Sequence, residues 1–278
     1  MNKVQDSIMK KFRKAIWRPF IHAVKDYKLL EEHDHICVCI SGGKDSMLLA
    51  KLMQMLHRFS DFPFEVTYLV MDPGYNPLNR EKIEENAKLL DIPITIFETQ
   101  IFDITFQTEK SPCYLCARMR RGNLYAKAKE LGCNKIALGH HFSDVIETTL
   151  MGMLYGAQLQ AMMPKLHSQH FEGMELIRPL YRIHEDDIIA WRDYNHLTFI
   201  QCACRFTENT TIGTYGDSNS KRIETKEIIK SMKRINPNVE MNIFNSLHNV
   251  NLDTFLEYKS NGERHSFLET YNNKHRLL

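Results

Sequence analysis

A short apolar, β-branched run, Ile36-Cys37-Val38-Cys39-Ile40, passes directly into Ser41-Gly42-Gly43-Lys44-Asp45-Ser46, and helical periodicity takes over from Met47 to Leu56. Strand, glycine turn and helix in that order constrain the fold more than any other stretch of the chain. The alternation then repeats. Phe64 to Met71 reads as a second strand, Asn76-Pro77 as an N-cap with proline at the first helical position, and Leu78 to Leu90 as the helix it starts. Ile94 to Ile101 reads as a third strand, Tyr114 to Leu131 as a helix, Lys135 to Leu138 as a strand and Asp144 to Tyr155 as a helix. Strands alternating with helices require right-handed crossovers and a mostly parallel sheet covered on both faces, which is the doubly wound α/β class.

The flanks differ from this centre. Ile8, Phe12, Ile16, Phe20 and Ala23 recur at helical spacing on a basic background, predicting an amphipathic leading helix over residues 8 to 30 that precedes the core rather than belonging to it. Beyond Gly156 the pattern loosens into a lipophilic loop from Leu159 to Leu166, a strand at Glu175 to Ile177 stopped by Pro179, a helix from His184 to Tyr194 and a last strand at Phe199-Ile200. Thr207 to Ser220 reads as a surface loop, Lys221 to Ile235 as a basic helix, with helical residues continuing to about Tyr258 and a frayed polar end after them. The expected organisation is an N-terminal helix over 1–30, a nucleotide-binding α/β domain over 31–205, and a C-terminal loop and helical extension over 206–278.

With 278 residues, 43% hydrophobic and 25% charged, the chain has the balance of a globular protein rather than a disordered or fibrous one. Its start lacks the apolar core of a secretory signal, and charges interrupt every apolar run before it reaches membrane-spanning length, so a cytoplasmic protein with no membrane partner is expected. Seven cysteines in a reducing compartment, and an odd number of them, argue against a disulfide framework. The net charge of +2 does not by itself announce a polyanion partner. Local clusters do more: Lys10-Lys11 to Lys14 with Arg18, then Arg118, Arg120 and Arg121, then Lys221-Arg222, each either a solvated helix face or a footprint for phosphate backbones.

At the glycine turn, backbone N–H groups and the helix dipole make an anion site, which Ser41 and Ser46 extend with hydroxyl donors. Lys44 can neutralise phosphate charge and Asp45 can hold magnesium. The turn is neither the Walker loop nor the Gly-x-Gly-x-x-Gly dinucleotide turn, and its plainest alternative is a helix start capped by Ser41. Ser-Gly-Gly-Lys-Asp-Ser after a first strand resembles the pyrophosphatase loop (PP-loop) of the N-type ATP pyrophosphatases. That likeness implies an adenine-nucleotide hydrolase-like doubly wound sheet and an enzyme that adenylates a carbonyl oxygen and releases pyrophosphate.

Cys113-Tyr114-Leu115-Cys116 opens a predicted helix beside three arginines, and Cys202-Ala203-Cys204 lies far away in sequence. A redox pair, a structural zinc site and an iron–sulfur cluster are the three readings, and spacing alone does not choose among them. Cys37 and Cys39, alternating within the first strand, read as buried small hydrophobes, and Cys133 receives no role. The PP-loop, the C-x-x-C and Leu138-Gly139-His140-His141, in that order, resemble the tRNA 2-thiocytidine synthetase family over roughly residues 10 to 255. The resemblance implies a [4Fe–4S] cluster held by Cys113, Cys116 and one of Cys202 and Cys204. The family's late pair is usually Cys-x-x-Cys, and this chain has one residue fewer between them.

Gly139 to Thr148 follows the fourth strand at the carboxyl edge, where open α/β sheets bind ligands, although Ser143 could simply cap the next helix. The family has two adjacent acids where this chain has Ser143 and Asp144, leaving Asp144 as the carboxylate for magnesium or proton handling. Ser41 to Ser46, with Asp72, Gly139 and His140, are thus expected to hold ATP, with Lys44, Asp45 and Asp144 catalytic. Asp72 reads equally as a turn cap at its strand end, and Lys165 as a further phosphate contact in the likeness or a surface lysine. The implied reaction adenylates O2 of a cytidine in the tRNA anticodon loop and replaces that oxygen with sulfur from a cysteine desulfurase or free sulfide, in a homodimer. A PP-loop sulfurtransferase or amidating ligase on another base or small molecule, and a non-catalytic nucleotide- and metal-binding regulator, are the competing functions.

Overall fold

A computed structural model of the chain describes residues 3–106, 112–200 and 217–274. At its centre is β1 (His35–Ile40), buried from Ile36 to Ile40. Its side chains alternate between two apolar layers: Ile36, Val38 and Ile40 face one cluster, Cys37 and Cys39 the other. The two cysteines are therefore the small buried hydrophobes expected of a central parallel strand. Cys133 joins them, its thiol pKa pushed up by a hydrogen bond with Cys37 and by burial.

Six strands form the sheet in the order β3-β2-β1-β4-β6-β5: β2 is Glu65–Asp72, β3 Ile94–Glu98, β4 Lys135–Ala137, β5 Lys165–His167 and β6 Glu175–Ile177. Every pairing is parallel except β5 with β6. The chain winds outward from β1 to β3, then returns to place β4 on the other side of β1. The order therefore reverses between β1 and β4, and the loops leaving these two strands flank the resulting crevice.

Helices in chain order are α1 (Lys3–Met9), α2 (Arg18–Asp26), α3 (Lys44–Phe59), α4 (Pro77–Leu89), α5 (Ile101–Phe106), α6 (Pro112–Glu130), α7 (Phe142–Gly156), α8 (Glu185–Tyr194), α9 (Asp217–Ile235), α10 (Val239–Ser246) and α11 (Phe267–Lys274). Residues up to 226 form one compact unit and those from 227 onward a second. Among the described residues, no helix is long and apolar enough to cross a membrane.

Several local expectations change. The single leading helix is interrupted by a π-helical turn at Arg13–Trp17, where Pro19 at the start of α2 lacks the N–H that a continuous helix needs. Its apolar stripe, Ile8, Phe12, Ile16 and Phe20, is buried in the main core, so this segment belongs to the core. The third strand stops at Glu98 and Ile101 begins a helix. Lys165 and Leu166, expected as the end of a loop, form the antiparallel edge strand with His167. Phe199 and Ile200 form no strand; Phe199 stacks on Trp191 at 6.2 Å.

In the second unit the helix expected to continue to Tyr258 gives way to a hairpin of β7 (Glu257–Ser260) and β8 (Glu263–Ser266), followed by α11. Asn261 and Gly262 turn it with φ of 52° and 85°. An Asn-Gly pair is the strongest short hairpin signal, and here it overrides the surrounding polarity. Of the expected surface loop, residues 217–220 are helical and 207–216 lie outside the described residues.

Candidate active site

Gly42 takes φ of 83°, and a Cβ there would fall 2.6 Å from side-chain atoms of both Ile83 and Ile200, so only glycine fits this turn. The helix behind it, α3, has Gly43 as its N-cap, with no side-chain cap, in place of the Ser41 cap. The serines instead stitch the loop. Ser46 Oγ accepts from the Ser41 N–H at 3.1 Å and from the Ser41 hydroxyl at 3.2 Å, and donates to the Gly43 carbonyl at 3.0 Å. The second loop comes close to the first at Gly139, where a Cβ would lie 3.1 Å from Ser46 N and from the Asp45 carbonyl carbon.

A cavity of about 420 Å³ opens at this junction. Ser41, Asp45 and Ser46 line it from the glycine turn, Gly139, His140 and Asp144 from the loop after β4, and Ala117, Arg120 and Arg121 from α6. Thus the helix that begins with the C-x-x-C faces the same space as the glycine turn. Tyr75, a residue that sequence reasoning missed, ties them together. Its hydroxyl reaches the Ser41 carbonyl at 3.5 Å, and its pKa is raised chiefly by burial, against the pull of Arg120 and with added pressure from Asp72 and Cys116. Cys116 is half-buried; Cys113 lies in the first turn of α6, and Cys202 and Cys204 lie outside the described residues. Two soft thiol residues at this spacing on a helix bordering the cavity suit an iron–sulfur or zinc centre in donor chemistry.

His141, not Ser143, caps α7. Its Nδ1 accepts the Asp144 N–H at 3.4 Å while Asp144 Oδ2 accepts the His141 N–H at 3.0 Å, a reciprocal capping box. With Nδ1 an acceptor, the ring proton belongs on Nε2, which lies 3.8 Å from Asp45 Oδ1. His141 therefore sits between the two carboxylates that sequence reasoning singled out, whereas that reasoning named His140. Asp45 Oδ1 and His140 Nδ1 are both buried without a hydrogen-bond partner among the described residues. A buried, unpartnered carboxylate oxygen at a phosphate-type loop fits a cation such as magnesium. Burial, reinforced by Arg178, pushes the His140 pKa down to about 4, so this imidazole is neutral at pH 7.

Charge runs on from Asp45. Lys44 Nζ pairs with Asp45 at 3.2 Å and with Glu185 at 3.0 Å, and Lys226 holds the other Glu185 oxygen at 3.0 Å. Burial works against the Glu185 carboxylate, but Lys226 and Lys44 pull its pKa down to about 2. Burial likewise opposes the charge on Lys44, and Asp45 with Glu185 outweighs it, raising the pKa. Glu185 and Lys226 carried no motif; the acid-rich first turn of α8 and the basic helix from Lys221 to Ile235 were their sequence signals. Asp72 sits apart from this set: Oδ1 accepts the Gly74 and Tyr75 N–H groups at 2.9 and 2.7 Å, and Oδ2 pairs with Arg80 at 3.2 Å, so the carboxylate caps its turn. Lys165 donates to the Lys28 carbonyl at 3.0 Å.

Residues 10–205 match the ATP_bind_3 family, described as a PP-loop domain. A tRNA-cytidine(32) 2-sulfurtransferase from Geotalea uraniireducens is 31% identical over 254 residues, covering 90% of this chain and 95% of that protein. One from Bordetella pertussis is 34% identical over 248 residues, covering 86% of this chain and 73% of that protein. Among solved structures, the U34-tRNA thiolase NcsA from Methanococcus maripaludis with its [4Fe-4S] cluster superposes with a TM-score of 0.65 at 20% identity, covering 84% of this chain and 77% of that one. That superposition speaks for the fold: a sheet whose crevice lies between β1 and β4. Family match, extent of identity and the glycine turn at that crevice agree, and the chain belongs to the PP-loop family and, within it, to the tRNA-cytidine(32) 2-sulfurtransferases.

Proposed function

We propose that this protein is an ATP-dependent tRNA thiolase that adenylates O2 of a cytidine in the anticodon loop and then exchanges that oxygen for sulfur. The observation that carries this reading is the convergence of the glycine turn and the C-x-x-C helix on one cavity, joined through Tyr75. In the first step O2 attacks the α-phosphorus of ATP, pyrophosphate leaves, and the base becomes an O-adenylate. In the second, a sulfur nucleophile adds at C2 and AMP departs with the former O2. The base oxygen is a poor leaving group until it is adenylated, which is why one chain needs both an ATP site and a sulfur site.

Within this reading the backbone N–H groups of Gly42 to Lys44 bind the phosphates, in a loop whose shape the Ser41 and Ser46 hydroxyls hold. Lys44 offsets the charge that develops on the leaving pyrophosphate. Asp45, with Asp144 across the cavity, would hold magnesium, and His141 keeps the two acids in register. Arg120 and Arg121, in the cavity lining, contact tRNA phosphate. Cys113 and Cys116, with Cys202 or Cys204, would hold the [4Fe–4S] cluster, which when bound supplies a metal-held sulfur for the displacement. The sulfur itself comes from a cysteine desulfurase or free sulfide.

The test is pyrophosphate release from ATP with and without tRNA, coupled to nucleoside mass spectrometry of that tRNA. Release that requires tRNA, together with new 2-thiocytidine, is the expected result. Equal release with free cytidine or with another small molecule, or none at all with tRNA, would overturn it.

A further inference from the structure

Helix α9 lies beyond the matched PP-loop domain, which ends at residue 205, yet it reaches into the site. Arg222 and Lys226, four apart, share one face of α9; Asp144 and Glu147, three apart, share one face of α7. The Arg222 guanidinium bridges both acids, with Nη2 at 2.9 Å from Asp144 Oδ1 and Nε at 3.0 Å from Glu147 Oε2. Lys226 Nζ lies 3.6 Å from Glu147 and 3.0 Å from Glu185, whose second oxygen pairs with Lys44. Four carboxylates, Asp45, Asp144, Glu147 and Glu185, thus alternate with three cations, Lys44, Arg222 and Lys226, around the glycine turn. Without α9 two of the three cations in this alternation would be missing, leaving its four acids paired with Lys44 alone.

Glu147 is 3% exposed, and a buried carboxylate of this kind persists as an anion only beside fixed positive charge. Burial raises its pKa, while Lys226 and Arg222 oppose that. Sequence reasoning left Lys221-Arg222 as a solvated helix face or a footprint for phosphate backbones, but the Arg222 guanidinium is committed to Asp144 and Glu147. The planar fork offers the two carboxylates separate N–H groups, Nη2 and Nε, at a fixed spacing, which the single nitrogen of an ammonium does not reproduce.

We propose, building on the tRNA thiolase reading, that Arg222 is a positioning residue of the adenylation site: anchored on Glu147, it fixes the Asp144 carboxylate toward the ATP cavity. Lys226 acts in parallel on Lys44 through Glu185. The helix after the PP-loop domain is therefore part of the nucleotide site.

Two readouts test this on the full-length, cluster-loaded protein: ATP binding in the presence of magnesium, by calorimetry without tRNA, and tRNA-dependent pyrophosphate release. Arg222→Met is expected to lower kcat by about 10- to 100-fold, the usual effect of removing a group that orients a metal-binding carboxylate, and to weaken magnesium-dependent ATP binding. Arg222→Lys should recover part of both. Glu147→Gln should resemble Arg222→Met, and the double variant should be no worse than the single ones because both break one link. Lys230→Met, on the same helix and paired with Glu227, should match the wild type. A folded Arg222→Met protein with wild-type kcat and ATP affinity, or strictly additive losses in the double variant, would overturn the proposal. Wild-type protein that binds ATP but makes no 2-thiocytidine would instead count against the thiolase reading, and the calorimetric comparison would still decide the role of Arg222.

Discussion

Two charged clusters sit at opposite ends of the same sheet, and they are built differently. At the amino edge Lys135, the first residue of β4, directs its ammonium at Asp34 at 2.7 Å, Glu175 at 3.3 Å and the Leu29 carbonyl at 3.3 Å. Asn134 adds a hydrogen bond to the other Asp34 oxygen at 2.7 Å. The Lys135 and Asp34 side chains are only 4% and 5% exposed, and Glu175 Oε2 is held by charge alone, at ion-pair distance without a hydrogen bond among the described residues. A few residues further on, at the carboxyl edge, the acids and cations around the glycine turn are 18–44% exposed except for Glu147, and Asp45 Oδ1 and His140 Nδ1 remain unpartnered beside a cavity. The amino-edge ammonium is enclosed by protein groups and is not part of the cavity lining, so it serves stability. The carboxyl-edge set keeps acceptors free for a ligand, and that is a chemical capacity.

Substitutions should separate the two clusters, and the largest effect belongs to the open one. Asp45→Asn is expected to reduce tRNA-dependent pyrophosphate release by about 1,000-fold, the upper range for losing a preorganised electrostatic group, while thermal unfolding barely moves. Equal losses of activity and stability would erase the distinction. Lys135→Met should do the reverse, destabilising by about 3–5 kcal/mol in denaturant titration because Asp34 is left buried and uncompensated, with KM for ATP unchanged in the folded fraction. Gly42→Ala forces a left-handed backbone and two close contacts at the turn, so at least about 1 kcal/mol of stability should be lost along with ATP affinity.

Acidity separates the clusters more finely. Burial opposes the Lys135 charge, but Asp34 and Glu175 raise its pKa above the usual lysine value. Its contribution is therefore complete below about pH 10 and is lost only as pH rises through the folded-state pKa. Glu185 is the mirror case, with a folded-state pKa of about 2. Its contribution is complete above about pH 4.3 and is lost as pH falls toward 2, so the stability gap between wild type and Glu185→Gln should narrow over that acid range. The smallest signal is His140. NMR of the ring should find it neutral at pH 6 and half-protonated near pH 4, and a midpoint near 6.5 would mean that the ring is not buried as described.

Much of this was readable from local pattern. The continuous apolar run of β1, the Asn76-Pro77 start of α4 and the Ser41 to Ser46 turn each follow from spacing over a handful of residues. The hairpin at Asn261-Gly262 was equally local and was missed because the polar surroundings suggested helix and fraying. The leading segment was misplaced for another reason: an amphipathic stripe shows that a helix is half-buried, not what buries it. His141 was passed over for its neighbour because the capping geometry that turns one ring between Asp45 and Asp144 is set by the start of α7 against the first loop.

By itself, the sequence determined the alternation of strands and helices, the glycine turn and the family, since periodicity, torsional freedom and motif order are properties of nearby residues. Tertiary structure alone decided which charges meet. Lys44 finds Glu185 across 141 positions and Arg222 finds Asp144 across 78. Such pairs are selected by how helices pack on the sheet and by the cost of leaving a buried charge alone, and neither is written in local spacing.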